Sequence, residues 1–433
     1  MNYFNIKDYG AIGDGTTLNT AAIQQAVDAA TENKGTVLIP GGIFLTGSIN
    51  LKNASLYLEQ EAVIKGSPDI KDYPHIGYYH NEMKEVTSLI YSMNHNNIRI
   101  YGQGTIDFNG LSFYDASKPS VPTNAKIPFT DDQVKECTYT YTERVNQPMF
   151  FYNGEGIVIE GIKLLEASCW TLTFSHCRDI KVLNLTIQAS KNVPNNDGIH
   201  ISASQDVIIK GCNISTGDDC IALSCITDWE AVCENIVISD CILRSCSKAF
   251  VAGYMYSHVR NVVFTNCIIQ DSNRGICFMA CPGTGLVENV TISNVIVDTK
   301  IRAGNWWGNG EPILMLGLDH DNGAHSNITE QMPSRRVNDT FKDIFMDNIV
   351  CQGENAIGIL GNGNNIHRIT LSNITFNSKN SENIGLKGNA FDTSPAPERI
   401  EVSENTFLKI VGATDVTLVN VTGDNNKIIE TSA

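Results

Sequence analysis

The sequence predicts an all-β chain wound as a single right-handed parallel β-helix over residues 1–433, and three observations carry that expectation. One phrase recurs: a polar residue, three or four alternating β-formers, then Asn, Asp or Gly, as in Asn97-Ile98-Arg99-Ile100, Gly156-Ile157-Val158-Ile159, Asp206-Val207-Ile208-Ile209 and Asn289-Val290-Thr291-Ile292. From Ile157 its first apolar residue returns at 180, 207, 236, 262 and 290, at intervals of 23, 27, 29, 26 and 28. Almost no helical periodicity interrupts these short runs. A period this brief, made of small β segments and polar turns, suits coils stacked at the strand spacing of about 4.8 Å. The signatures of propeller blades and leucine-rich repeats are missing.

Residues 1–30 form the predicted cap. Asn19 is placed to N-cap a helix whose Ile23, Ala26, Val27 and Ala30 make one apolar stripe, which would cover the open end of the stack. The coils follow. Segments 110–145 and 300–340 break the repeat and read as long loops shaping a binding face. The later intervals, 54 from Val290 to Ile344 and 72 from Ile344 to Val416, are near two and three periods.

Composition narrows the function. The 47 acidic residues against 31 basic give a formal charge of -16, which repels nucleic acid and anionic membranes. No run of about 18 apolar residues occurs, and the N-terminus lacks a signal-peptide pattern, so a cytoplasmic location is expected. Thirteen cysteines without zinc-site spacing read as reduced, buried small residues. Asn-x-Ser/Thr triplets at Asn184, Asn213, Asn289, Asn373 and Asn420 fall in strand-like runs and read as repeat positions rather than glycan acceptors.

Alignment of the apolar pairs Leu172/Phe174, Ile199/Ile201, Ile221/Leu223, Phe250/Ala252, Ile276/Phe278, Ile313/Met315 and Ile357/Ile359 places them in one sheet. Two residues before each pair stand Trp170, Asp197, Asp219, Lys248, Arg274, Glu311 and Asn355, a column up one edge. Alternation alone would point this column inward, so turns at Gly198, Gly217 and Gly275 are expected to rotate it out. A polar ladder satisfied by backbone groups is the simplest account of any single member. The acidic set resists it, because Asp197, Asp218 and Asp219 fall within one coil of each other and mutual repulsion raises at least one pKa.

Clustered carboxylates suit glycoside hydrolysis, with one protonated acid for the leaving oxygen and one ionised base for water. Calcium is the rival occupant, but Lys248 and Arg274 already supply positive charge, which makes metal the lesser reading.

These residues resemble the polygalacturonases and their relatives in glycoside hydrolase family 28, over nearly the whole chain. Phe4-Asn5-Ile6-Lys7-Asp8-Tyr9-Gly10-Ala11 through Gly13-Asp14-Gly15 looks like the opening of pectin-active β-helix enzymes, and Ser168-Cys169-Trp170 like the segment ahead of the active site. Asn195-Asn196-Asp197-Gly198 matches the family's Asn-x-Asp-Gly motif, and Gly217-Asp218-Asp219-Cys220 its Gly-Asp-Asp-Cys motif. The resemblance implies that Asp218 is the general acid, that Asp197 and Asp219 hold and deprotonate water, and that Asn195 belongs to the substrate site. It also implies single displacement with inversion, for which carboxyl groups stand on the order of 6.5–9.5 Å apart, and a mechanism that calls for no cofactor and no metal.

Two departures bear on the substrate. The family's Gly-His-Gly segment aligns with Ser247-Lys248-Ala249, and its uronate-gripping Arg-Ile-Lys triplet with Cys277-Phe278-Met279. Either Lys248 and Arg274 supply the carboxylate contacts, or the leaving-group site is apolar and takes a neutral sugar or aglycone. His200 has the parity to line the sugar site, and Trp306-Trp307, ahead of Glu311, could form a platform for a sugar face. The expected function is exo-acting hydrolysis of galacturonate-containing pectic oligosaccharides, with the two long loops closing one end of the cleft. A β-helix lyase using Lys248 or Arg274 as base, and a non-catalytic carbohydrate-binding β-helix, are the alternatives. Oligosaccharide is the expected partner, with nucleic acid and membrane excluded; the sequence leaves oligomeric state open.

Overall fold

The computed structural model describes residues 2–121, 128–280, 285–304, 306, 308–317, 340–363, 365–380, 405–424 and 428–432. Its strands stack in parallel as a β-helix, with 21 strands in one sheet system and 12 in a second. The repeat register holds coil by coil. Ile157 lies beside Ile180, then Val207, Ile236, Val262 and Val290. The polar residue opening each phrase has a left-handed backbone, with φ of 57° at Asp206, 59° at Asn235, 56° at Asn261 and 55° at Asn289. Only Gly, Asn and Asp adopt that corner readily, so the phrase is the chemical signature of a bend between two short strands. Corners on neighbouring coils are tied by their side-chain amides: Asn261 donates to Asn235 at 3.0 Å and Asn289 to Asn261 at 2.7 Å. A second ladder runs from Asn348 to Asn294 and Asn266. Asn184, Asn289, Asn373 and Asn420 are all such corners, which accounts for these triplets as repeat positions.

Two repeat expectations need correction. Val290 pairs directly with Ile344, so the interval of 54 is one coil carrying an insertion rather than two coils. Ile344 pairs with Ile369 and that with Val416, so the last interval covers two coils and not three. Extra chain leaves the stack and returns without shifting the register, because each strand's pairing is fixed by its buried apolar face.

The helix Thr20–Glu32 buries Ile23, Ala26, Val27 and Ala30 as expected. Asn19 sits at its start but makes no capping bond. Its side chain is spent on the Ile12 amide at 2.7 Å and on the Ile12, Thr17 and Leu45 carbonyls, pinning the strand that leads into the helix. Segment 110–145 is less of a loop than expected, since strands Tyr114–Pro119 and Tyr139–Tyr141 pair antiparallel within it. Segment 300–340 contributes the coil strand Ile313–Gly317; its residues 318–339 and Trp307 lie outside the described residues. A second hairpin, His75–His80 with Lys84–Thr87, projects from the stack without a sequence forecast.

The main core is a continuous cluster from Ile6 to Ile410 inside the coils, with smaller buried clusters beside it. The seven apolar pairs occupy the 12-stranded sheet in the expected register, Leu172 beside Ile199, Ile221, Phe250, Ile276 and Ile313 in turn. All twelve described cysteines are buried free thiols.

Candidate active site

Three neighbouring coils build the site. Strands Ile199–Ser202, Ile221–Ser224 and Lys248–Gly253 lie side by side; the turns entering the first two carry Asp197 and Asp219, and Lys248 opens the third. Backbone bonds step up this edge: Thr171 donates to Asp197 O, Gly198 to Asp219 O, and Cys220 to Lys248 O. The turns rotate the side chains outward into a half-open pocket lined by Asp197, Asp218, Asp219, Asn195, His200 and Lys248 among others. Glycine at 198 is required by contact rather than by backbone conformation, since a Cβ there would lie 2.5 Å from Cys220 O.

Asn196, the variable position of its motif, is buried and anchors the next coil. Its Oδ1 accepts the Gly217 and Asp218 amides at 2.8 and 2.9 Å, and its Nδ2 donates to Ser190 O. Asn195 has φ 57° and its backbone N–H donates to Asp218 Oδ2 at 3.2 Å. The Asn195 side-chain oxygen accepts from Arg144, whose guanidinium also bonds Tyr114 Oη and the Pro194 carbonyl. The turn bearing Asp218 is thus held from both sides, and Asp218 is the more exposed of the adjacent aspartates.

Charge is concentrated here. Burial pushes Asp197 well above the usual carboxylate range, Asp218 and Glu82 push further, and Lys248 partly offsets them. Asp219 is raised mainly by burial, against the pull of Lys248, whose Nζ lies 2.9 Å from its Oδ1. Burial works against the Lys248 charge, but Asp219 and Asp218 outweigh it and the ammonium stays protonated. His200 packs on Trp170 with ring centroids 3.9 Å apart, and its Nε2 pairs with Ser224 Oγ at 2.9 Å. Burial drives His200 down to about 3, so its ring is neutral.

Three expected substrate contacts are not brought to this pocket. Arg274 and Glu311 pair with each other at 3.2 Å, both buried, and neither is among the lining residues. The cause is the order of charges along the column: Asp219 engages Lys248, so Arg274 turns to the carboxylate on its other side. Trp306 is 2% exposed and its indole donates to Glu136 O at 3.0 Å, which leaves no open face for a sugar platform.

Glu82 was missed by sequence reasoning. It sits at the tip of the hairpin 75–87, half-buried, and lines the same pocket. Burial and then Asp218 push it up to about 7, against Arg144, Lys248 and Lys84. The hairpin is seated by Asn81 Nδ2 on Ile226 O, by Asn146 Nδ2 on Met83 O and Glu85 O, and by buried His80 against Trp170. No repeat or motif marks this segment. Among the described residues no group of three or more His, Cys, Asp and Glu side chains is arranged to hold a metal ion.

Comparison with known proteins supplies a family. The model of Glycosyl hydrolases family 28 matches residues 30–304. A probable polygalacturonase of Vitis vinifera is 28% identical over 316 residues, covering 68% of this chain and 60% of its own length. An exo-poly-alpha-D-galacturonosidase of Dickeya chrysanthemi is 27% identical over 377 residues, 78% of this chain and 61% of its own. The chain therefore spans about 60% of the length of these relatives. Among solved structures, an exopolygalacturonase from Thermotoga maritima superposes with a TM-score of 0.64 at 22% identity, covering 87% of each chain, a likeness of fold.

Proposed function

The chain belongs to glycosyl hydrolases family 28, and on that premise we propose that it hydrolyses the terminal glycosidic bond of pectic, galacturonate-containing oligosaccharides with inversion. The observation that carries this reading is the convergence of Asp197, Asp218 and Asp219 on one pocket from adjoining coils. In the proposed step Asp218 gives its proton to the glycosidic oxygen as the bond to the anomeric carbon breaks. Asp197 and Asp219 hold a water on the opposite face and take its proton as its oxygen bonds that carbon. Carboxyls raised by burial suit this work, because a more basic carboxylate is a stronger proton acceptor. The exo mode is supported by the hairpin 75–87, whose Glu82 bounds the pocket, and by a relative named for exo action.

The test is product analysis by NMR and mass after incubation with a panel of galacturonate, rhamnogalacturonate and neutral plant oligosaccharides, with Asp218→Asn as control. One terminal sugar released with inverted anomeric configuration is the expected result. Random internal fragments would overturn the exo mode, retained configuration the single displacement, and an unsaturated ultraviolet-absorbing product the hydrolysis itself.

A further inference from the structure

We propose that the ring seated in this pocket is a neutral sugar at the end of a galacturonate-containing chain, and that Glu82 enforces this by excluding a terminal ring that bears a carboxylate. The inference rests on the hydrolytic reading for the bond broken, and on the pocket itself for the sugar admitted. Among the described residues four carboxyl groups line the pocket, Glu82, Asp197, Asp218 and Asp219, against one ammonium, that of Lys248. Lys248 is already engaged by Asp219 at 2.9 Å and by Ser247 Oγ at 3.1 Å. Among the described residues the other cations nearby are turned elsewhere: Arg144 onto Tyr114, Pro194 and Asn195, Lys84 onto the Asn81 carbonyl, and Arg274 onto Glu311. His200 adds no charge. An ionised uronate would bring a further negative charge into a partly desolvated space, where like charges are weakly screened.

The facing wall tells the same way. The outward positions of the sheet run His200, Ala222, Val251, Cys277 and Leu314 in register, so beyond His200 the column is apolar. Ala222, Val251 and Met279 belong to one buried apolar cluster and line the pocket with Ile226. That surface suits the C–H face of a neutral sugar. Glu82 completes the division of labour. Among the described residues its carboxyl has no hydrogen-bond partner, so it can meet sugar hydroxyls directly while repelling a second carboxylate.

The test compares an oligogalacturonide with its carboxyl-reduced, neutral counterpart of the same linkage, at pH 8 where Glu82 is mostly ionised. The wild type should favour the neutral substrate by about tenfold or more in kcat/KM, and Glu82→Gln should narrow the ratio to about threefold or less. Preference for the charged substrate, or an undiminished ratio in Glu82→Gln, would overturn the proposal. Wild-type affinities for galactose and galacturonate, measured by NMR titration, separate it from the hydrolytic reading. Tighter galactose binding with neither oligosaccharide cleaved supports the neutral pocket and rejects hydrolysis; tighter galacturonate binding rejects the neutral pocket whatever is cleaved.

Discussion

The Lys248 ammonium and the Asp219 carboxylate form a buried ion pair across adjacent coils, 2.9 Å apart, with side chains 2% and 12% exposed. The Lys248 backbone N–H donates to the same oxygen at 3.2 Å, so Asp219 is oriented twice by one residue. This fixes which aspartate of the Asp218–Asp219 pair faces positive charge and which faces the pocket alone.

Removing the cation strands the carboxylate. Lys248→Met should cost roughly 3–5 kcal/mol at pH 8, the usual penalty for breaking a buried pair from one side. A carboxyl whose folded pKa exceeds its unfolded value binds more protons when folded. Its stability is greatest below the unfolded pKa of about 3.9 and declines as pH rises through the folded value. Urea midpoints at pH 5 and pH 8 should therefore separate further in the variant than in the wild type; equal losses at both would exclude Asp219 ionisation as the cause.

Asp218→Asn should lower turnover by about three orders of magnitude or more with a small change in melting temperature. The amide oxygen can still accept from the Asn195 N–H, so the turn keeps its shape. Turnover within tenfold of wild type would remove Asp218 from the acid role.

Asn196→Ala removes the acceptor for two consecutive amides without touching the pocket wall. The expected signature is a split: kcat down by about ten to a hundredfold from misplacement of Asp218, KM little changed. A rise in KM with kcat preserved would mean that Asn196 serves binding instead.

Acid sensitivity has an identifiable source in His80, which is fully buried and pushed down to about 3 by burial, His200 and Lys84. Below about 6.5 the unfolded chain takes a proton that the folded chain refuses, so stability is lost at about 1.4 kcal/mol per pH unit as pH falls. His80→Gln should flatten the acid limb of a stability profile between pH 6.5 and 4 by roughly that slope. An unchanged limb would show that the folded protein protonates His80 readily.

The corner ladder is testable away from the site. Asn261→Ala puts a residue that tolerates the left-handed region poorly at φ 56° and cuts both amide bonds, at a cost of about 1–3 kcal/mol. Asn261→Gly keeps the backbone and should cost less. Denaturant midpoints that rank glycine below alanine would refute the backbone account.

The catalytic candidates were legible because Asp197 and Asp218 sit in short motifs one coil apart, and coil spacing converts directly into neighbourhood. The column from Trp170 to Arg274 was legible for the same reason. What a column cannot reveal is how its members pair: Lys248 and Arg274 are register neighbours, yet each takes the carboxylate on its own far side. Trp306 failed because burial of a loop tryptophan depends on a distant carbonyl, Glu136 O, that no periodicity announces. Glu82 was invisible because its hairpin belongs to no coil and reaches the pocket only through contacts such as Asn81 with the Ile226 carbonyl.

The hairpin bearing Glu82 pairs only with itself, while the coils keep their own ladder beneath it. Scaffold and selectivity are thereby encoded in separable stretches of chain. Substitutions between His75 and Thr87 can drift, or the whole excursion be exchanged by recombination, without rewriting the register that folds the solenoid, so new substrate preferences can evolve on an unchanged frame.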